Sequence, residues 1–270
     1  MLFNFIDKSQ YTLDSFLLMD RWLIRMIINT SNDWPEFAQN LALALSSRPY
    51  VAWYCMKKAP EVKERVEQLV KSAPFNADSK QINAAEEFIV QATETSIIYT
   101  DPINMNKNCN YIYNWKEEHL LELADFKDKL VLDIGSGTGR LAFAAAKFAR
   151  KVYASEPTDM LREFMRDKIK NERISNVVVV DGTVEHIPYE DSTFDIVMSA
   201  HVVGDNYDAE LTEMQRVTKH NGYILDCIGD DDRIREKPDE ELLKRGFEYL
   251  YHKSTLGGDI YRYRKQVIKN

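Results

Sequence analysis

The first 134 of the 270 residues contain no glycine, and all ten glycines lie at or beyond Gly135. A glycine-free stretch has few places for the left-handed backbone that sharp turns use, so helices joined by polar or proline-marked loops are expected there. Cysteine is also scarce. Cys55, Cys109 and Cys227 are far apart, odd in number and lack any C-x-x-C spacing. That excludes a disulfide framework and a cysteine-rich zinc site, and it suits a cytoplasmic location. Long hydrophobic runs are missing. The most apolar early stretch, Phe16 to Ile28, is interrupted by Asp20, Arg21 and Arg25, and is too short and too charged to span a bilayer. The start, MLFNFIDKSQ, has no basic region before its apolar residues, which argues against a secretory signal. An excess of positive charge is absent too. With 35 Lys+Arg against 43 Asp+Glu the formal net charge is −8, and neither half is positive. A nucleic-acid partner is therefore not expected. The remaining composition, 44% hydrophobic and 29% charged, excludes disorder, collagen and coiled coil.

Within the glycine-free half, Leu13, Phe16, Leu17, Leu23, Met26 and Ile27 fall on helical spacing in a stretch ending near Asn29. Asp33, Pro35 and Glu36 read as a capping-box-like start for a helix to about Ser46. Pro60-Glu61 opens another, with Val62, Val66, Leu69 and Val70 as its buried stripe, and a fourth runs from Ser79 to Thr93. Trp53, Tyr54 and Cys55 read best as core. No catalytic signature stands among these helices.

After Leu130 the rhythm changes. LVLDI (130–134), VYAS (152–155), VVVV (177–180), FDIVMSA (194–200) and YILDCI (223–228) are near-continuous apolar runs, suited to strands covered on both faces. Helical patterns at Arg140–Arg150, Asp159–Lys170 and Glu210–Thr218 alternate with them, which predicts a doubly wound, mostly parallel α/β sheet. FEYLYHK (247–253), Gly257-Gly258 and IYRYRKQV (260–267) read as an antiparallel hairpin closing the sheet edge.

The sharpest feature is Asp133-Ile134-Gly135-Ser136-Gly137-Thr138-Gly139, between the first strand and its helix. Ligands of open α/β sheets sit at the carboxyl ends of the strands, where glycines let backbone approach them. The spacing is G-x-G-x-G, neither the dinucleotide fingerprint G-x-G-x-x-G nor a phosphate loop. The next strand ends in Glu156, placed to accept from the hydroxyls of a ribose, and the third in Asp181-Gly182-Thr183, suited to an exocyclic amine. Together these describe a nucleoside cofactor without phosphate recognition.

These residues resemble the class I S-adenosylmethionine-dependent methyltransferases. VLDIGSGTGR (131–140) is similar to that family's first motif, and YASEPTDML (153–161) to its second. DGTVEHIPYEDSTFDIV (181–197) and EMQRVTKHNGYIL (213–225) are similar to two later segments, with His220-Asn221 replacing the usual Pro-Gly. The resemblance implies a seven-stranded Rossmann-like sheet in an S-adenosylmethionine-binding domain over 111–270. Residues 1–110 would form a helical extension covering the substrate. It further implies a cofactor site of Asp133, Gly135, Ser136, Gly137, Gly139, Glu156, Pro157, Asp181, Gly182, Thr183, Ala200 and His201. The product would be S-adenosylhomocysteine and the partner a small-molecule methyl acceptor.

Methyl transfer needs alignment and water exclusion more than a dedicated catalytic group. Where a proton must leave the acceptor, His201 is the best-placed general base and His186 the next, with structural roles for both standing beside that reading. Tyr111, Tyr113 and Trp115 precede the helix leading to the first strand, and Tyr113 and Trp115 are pocket candidates; packing against the sheet explains them equally. Asp230-Asp231-Asp232 reads as a solvated loop, so no metal is expected. Three other readings remain. One is a cofactor-binding protein without transferase activity, acting through a partner on its helices. Another is a nicotinamide oxidoreductase, disfavoured by the glycine spacing. The third is a peripheral membrane enzyme acting on a lipid or quinone, motivated by Phe16–Ile28. No residue pattern indicates an oligomeric state.

Overall fold

Prolines start three of the α-helices of the first half. Pro35, Pro49 and Pro102 are the first residues of α2 (Pro35–Ser47), α3 (Pro49–Lys58) and α7 (Pro102–Asn108), and Pro60 opens a short 3-10 turn that leads straight into α4 (Lys63–Ser72). A proline is tolerated there because the first N–H groups of a helix have no intrahelical partner. The computed structural model describes residues 6–109, 115–229, 235–253 and 259–269. The chain divides into two units, Met1–Asn108 and Cys109–Asn270.

In the first unit no described residue has a positive φ, as a glycine-free chain leads one to expect. Arg48 alone separates α2 from α3, and Ala59 alone separates α3 from the Pro60 turn. The stretch expected as one helix near Leu13–Asn29 is two: a 3-10 segment, Leu13–Leu18, and α1 (Arg21–Thr30). Asp20 breaks it, with extended backbone at the N-cap and its carboxylate 3.4 Å from Lys58 Nζ. Trp34, not Asp33, occupies the N-cap of α2, and it makes no side-chain cap. A reciprocal capping box does form, at a later helix. Asp78 Oδ1 accepts from Gln81 N–H (2.8 Å) and Gln81 Oε1 from Asp78 N–H (2.9 Å), starting α5 (Ser79–Ala92). The short α6 (Glu94–Ile97) and α7 carry no clear periodicity. Phe16, Leu23, Ile27, Phe37, Leu41 and Leu45 lie in the core, as does Cys55, whereas Trp53 is 57% exposed. The expectation of core for Trp53 is thus corrected: α3 buries Val51, Ala52 and Cys55, and Trp53 falls off that face.

Among the described residues the second unit has the one-turn α8 (Glu118–Leu121) and then alternates: β1 (Leu130–Ile134), α9 (Arg140–Ala146), β2 (Lys151–Ser155), α10 (Asp159–Glu172), β3 (Val177–Val180), β4 (Phe194–Ser199), α11 (Tyr207–Val217), β5 (Thr218–Asp226), α12 (Glu240–Lys244), β6 (Glu248–Lys253) and β7 (Asp259–Gln266). The seven strands run in the order β3-β2-β1-β4-β5-β7-β6. β1 to β5 are parallel, and β7 pairs antiparallel with both β5 and β6. Both faces are covered, because alternate residues of each strand point to opposite sides. Val131, Val152, Ala154 and Met198 pack with Leu141 and Ala145 of α9 and Met165 of α10. Leu132, Ile134, Val197 and Ile224 pack with Leu211 and Met214 of α11 and Leu242 of α12.

The His220-Asn221 departure is absorbed within β5. Asn221 takes φ 61 and its N–H donates to Val267 O at 2.8 Å, so asparagine, which tolerates the left-handed region, does the work of a glycine. Gly222 follows because a Cβ there would lie 2.7 Å from the Asp195 carbonyl oxygen. On the edge hairpin, His252 stacks on His119 of α8 with ring centroids 3.7 Å apart. Burial, with Arg262 nearby, holds both imidazoles below their usual range, His119 down to about 4, so the pair is neutral at physiological pH. Among the described residues, no helix is long and apolar enough to cross a membrane.

Candidate cofactor site

Register brings the strand ends level. Ile134 lies beside Ser155 on one side and Ser199 on the other, Ser155 lies beside Val180, and Ser199 beside Asp226. The residues immediately after these, Asp181, Glu156, Gly135, Ala200 and Cys227, therefore form one row across the carboxyl edge. The strand order reverses at β1, between β2 and β4, which is where open α/β sheets bind ligands.

The glycine turn is built at the centre of that row. Gly135, Gly137 and Gly139 have φ of 65°, 58° and 87°, a region that costs an L-residue about 1–2 kcal/mol. Their surroundings differ. A Cβ on Gly135 would collide with Val202 Cγ2, and one on Gly139 with the Phe143 ring, whereas one on Gly137 would meet nothing within 4 Å. Gly137 thus presents bare backbone to open space. Ser136 fastens the turn: its N–H donates to Ser155 O (3.0 Å) and its hydroxyl to Asp133 O (2.9 Å).

Glu156 is 2% exposed. Its Oε2 accepts from Gly137 N–H and its Oε1 from Thr158 N–H, both at 2.9 Å. Burial raises its pKa while these two donors oppose the shift. A carboxylate offers about four lone-pair sites, so two contacts leave capacity for ligand hydroxyls. Pro157 follows it, half-buried. Arg162 Nη1, on α10, donates to Glu156 O (2.7 Å) and reaches Asp181 Oδ1 (3.3 Å), linking the ends of β2 and β3. The Asp181 side chain is otherwise open to solvent. Gly182 packs where a Cβ would lie 2.7 Å from Ser155 Oγ, and Thr183 bridges to His186.

Asp133 tests the fit of a ligand directly. It is buried at the end of β1, and neither carboxylate oxygen has a hydrogen-bond partner among the described residues. Burial pushes its pKa up to about 7, against the opposing pull of the Ser136 hydroxyl and Arg140. Unsatisfied buried acceptors call for an added donor, and a ligand ammonium supplies one. Bare backbone at Gly137, an acid tying the same turn and orphaned oxygens on Asp133 fit a nucleoside joined to an amino acid.

The structure brings Asp133, Gly135, Ser136, Gly137, Gly139, Glu156, Pro157, Asp181, Gly182, Thr183, Ala200 and His201 to this edge. His201 is exposed, just beyond β4. His186 is exposed in the loop after β3; the next residue, Ile187, donates its N–H at 3.0 Å to Oε2 of Glu213 on α11, whose carboxyl is held down to about 2 chiefly by Arg216. Trp115 packs against the core with the Arg140 guanidinium 5.1 Å above its ring. Tyr111, Tyr113 and Asp230-Asp231-Asp232 lie outside the described residues. Among the described residues no group of three or more His, Cys, Asp or Glu could hold a metal ion.

Sequence reasoning missed Asp226. It ends β5 buried, with Ser199 Oγ donating to Oδ1 at 3.3 Å. Burial pushes its pKa up to about 7; the Ser199 bond and Arg235 oppose this, while Asp239 and Glu210 add to it. The available signal is a carboxylate inside the apolar run YILDCI, where an unpaired charge is costly.

Residues 132–225 match the family model of a methyltransferase domain. An uncharacterized methyltransferase of Schizosaccharomyces pombe is 33% identical over 108 residues, 36% of this chain and 39% of that protein. A ubiquinone/menaquinone biosynthesis C-methyltransferase of a Marinomonas species is 29% identical over 174 residues, 57% of this chain and 65% of that one. The chain thus spans less than two thirds of either relative. The solved structure of Haemonchus contortus phosphoethanolamine N-methyltransferase 1, with phosphoethanolamine and S-adenosylhomocysteine, shares the fold at TM-score 0.50 and 14% identity. The match covers 66% of this chain and 48% of that one. The α/β unit thus contains a match to a methyltransferase domain over residues 132–225, set in a seven-stranded sheet of order β3-β2-β1-β4-β5-β7-β6.

Proposed function

We propose that the protein transfers a methyl group from S-adenosylmethionine to a small-molecule acceptor. The observation that carries this is the level row of strand ends around the glycine turn, with Glu156 tied to Gly137 and open space beside that glycine. The bound cofactor supplies a methyl already activated on a sulfonium, so the chain's task is to hold, align and exclude water. Gly135, Ser136, Gly137 and Gly139 follow the methionine and ribose portions, and Glu156 with Pro157 holds the ribose. Asp133 takes the ammonium into its unsatisfied carboxylate. Asp181, with Gly182 and Thr183, accepts from the adenine amine, which its exposure and its cationic neighbour permit. Ala200 and His201 flank the methionine end, on the side where β5 ends beside β4.

A net charge of −8 and the quinone-modifying activity in the name of one relative both support a small acceptor over a nucleic acid. Calorimetric titration with S-adenosylhomocysteine, with NAD as control, tests the proposal. Micromolar binding of the first and none of the second is expected; binding of NAD alone would sink it.

A further inference from the structure

The loop after β4 is pinned at three points. Val202 lies against Gly135, so the loop rests on the glycine turn. Farther along, the buried carboxylate of Glu210 accepts from the N–H groups of Gly204 and Asn206, both at 2.9 Å. At the head of the loop, His201 adopts φ 59, and its Nε2 accepts from the Gly229 N–H at 3.3 Å. Gly229 lies beyond β5 and is buried, so its N–H needs a protein acceptor. A non-glycine residue held in the left-handed region marks a position that its surroundings over-determine. Here the constraint aims the ring from one loop onto the backbone of the next.

The protonation state follows from that bond. A neutral imidazole has one N–H and one lone pair, and a ring accepting at Nε2 carries its proton on Nδ1. The lone pair that a general base would offer is in use. We propose that His201 is a positioning residue, a latch that ties the loop after β5 to the loop after β4 with its proton on Nδ1, and is not the group that takes a proton from the acceptor. Through Val202 the latch also steadies the glycine turn, so it bears on cofactor affinity. This inference rests on the methyltransferase reading, which places cofactor and acceptor at these loops.

The test uses the full chain labelled with 15N-histidine, in which five histidines are present. The ring resonances of His201 are identified by their loss in His201→Gly. The expected spectrum is the Nδ1–H tautomer, with Nε2 shifted as a hydrogen-bonded acceptor; an Nε2–H tautomer would overturn the latch. Glycine accepts φ 59 without strain, so His201→Gly removes the ring and leaves the backbone at ease. Faster hydrogen exchange at Gly229 and roughly 3- to 10-fold weaker S-adenosylhomocysteine binding are expected, the size of one neutral hydrogen bond. Unchanged exchange at Gly229 overturns the proposal. A parent protein that binds no S-adenosylhomocysteine overturns the methyltransferase reading instead, and the tautomer still decides the latch.

Discussion

Glu156→Ala should bind S-adenosylhomocysteine roughly 10- to 100-fold more weakly than the parent, the size of a lost charge-assisted hydrogen bond to ribose. The same substitution strips the acceptors from Gly137 N–H and Thr158 N–H. Thr158 is buried, and leaving its N–H unpaired costs about 1–3 kcal/mol, so thermal unfolding should shift down as well. Gly137→Ala separates the two effects. Its Cβ meets nothing in the protein, so the fold loses only about 1–2 kcal/mol of left-handed backbone preference. A ligand lying along that backbone meets the new methyl, so affinity should fall while most of the stability survives. Calorimetry and thermal unfolding on both variants decide the matter. If Glu156→Ala remains folded and binds like the parent, the end of β2 does not line the cofactor. If Gly137→Ala binds like the parent, the open space beside the turn is not the ligand's path.

Asp226→Asn should stabilise the protein, and more at pH 8 than at pH 5. The carboxyl's pKa rises from 3.8 when unfolded to about 7 when folded, through burial first and then the neighbouring Asp239 and Glu210. A raised carboxyl pKa means that the folded state prefers the protonated form. Its contribution is fully present below pH 3.8 and is lost as pH rises through about 7. Each tenfold change in proton affinity corresponds to about 1.4 kcal/mol, so the asparagine should add roughly 2–4 kcal/mol at pH 8. It keeps an acceptor for the Ser199 hydroxyl, which donates at 3.3 Å. Urea unfolding at the two pH values measures this. Equal stability of variant and parent at pH 8 would mean that Asp226 ionises there without penalty.

The α/β unit was legible in the sequence because its signals are short-range. Near-continuous apolar runs place β1 to β4 within a residue or two, and G-x-G-x-G marks the turn whose three left-handed glycines the structure contains. The helical unit was harder. Asp20 pairs with Lys58, far along the chain, and such a partner is invisible to periodicity; the helix expected across it breaks. α3 was missed because its buried residues, Val51, Ala52 and Cys55, sit beside Tyr50 and Trp53, which are large, apolar and exposed. At the site, chain order could place His201 after β4 but not its bond to Gly229, which depends on two loops meeting across adjacent strands. Asp226 was hidden for the opposite reason: its run looked so much like core that its charge passed unweighed.

The absence of glycine from the helical unit also bears on the state from which it folds. A chain without glycine, with proline at several helix starts, has fewer unfolded conformations to lose, so each ordered residue costs less backbone entropy. Single-residue links such as Arg48 and Ala59 keep neighbouring helices close in sequence, and local contacts form quickly. Synthesis delivers this unit before Gly135 leaves the ribosome. The helices can therefore be in place while the parallel sheet, whose pairings span distant segments, is still being made.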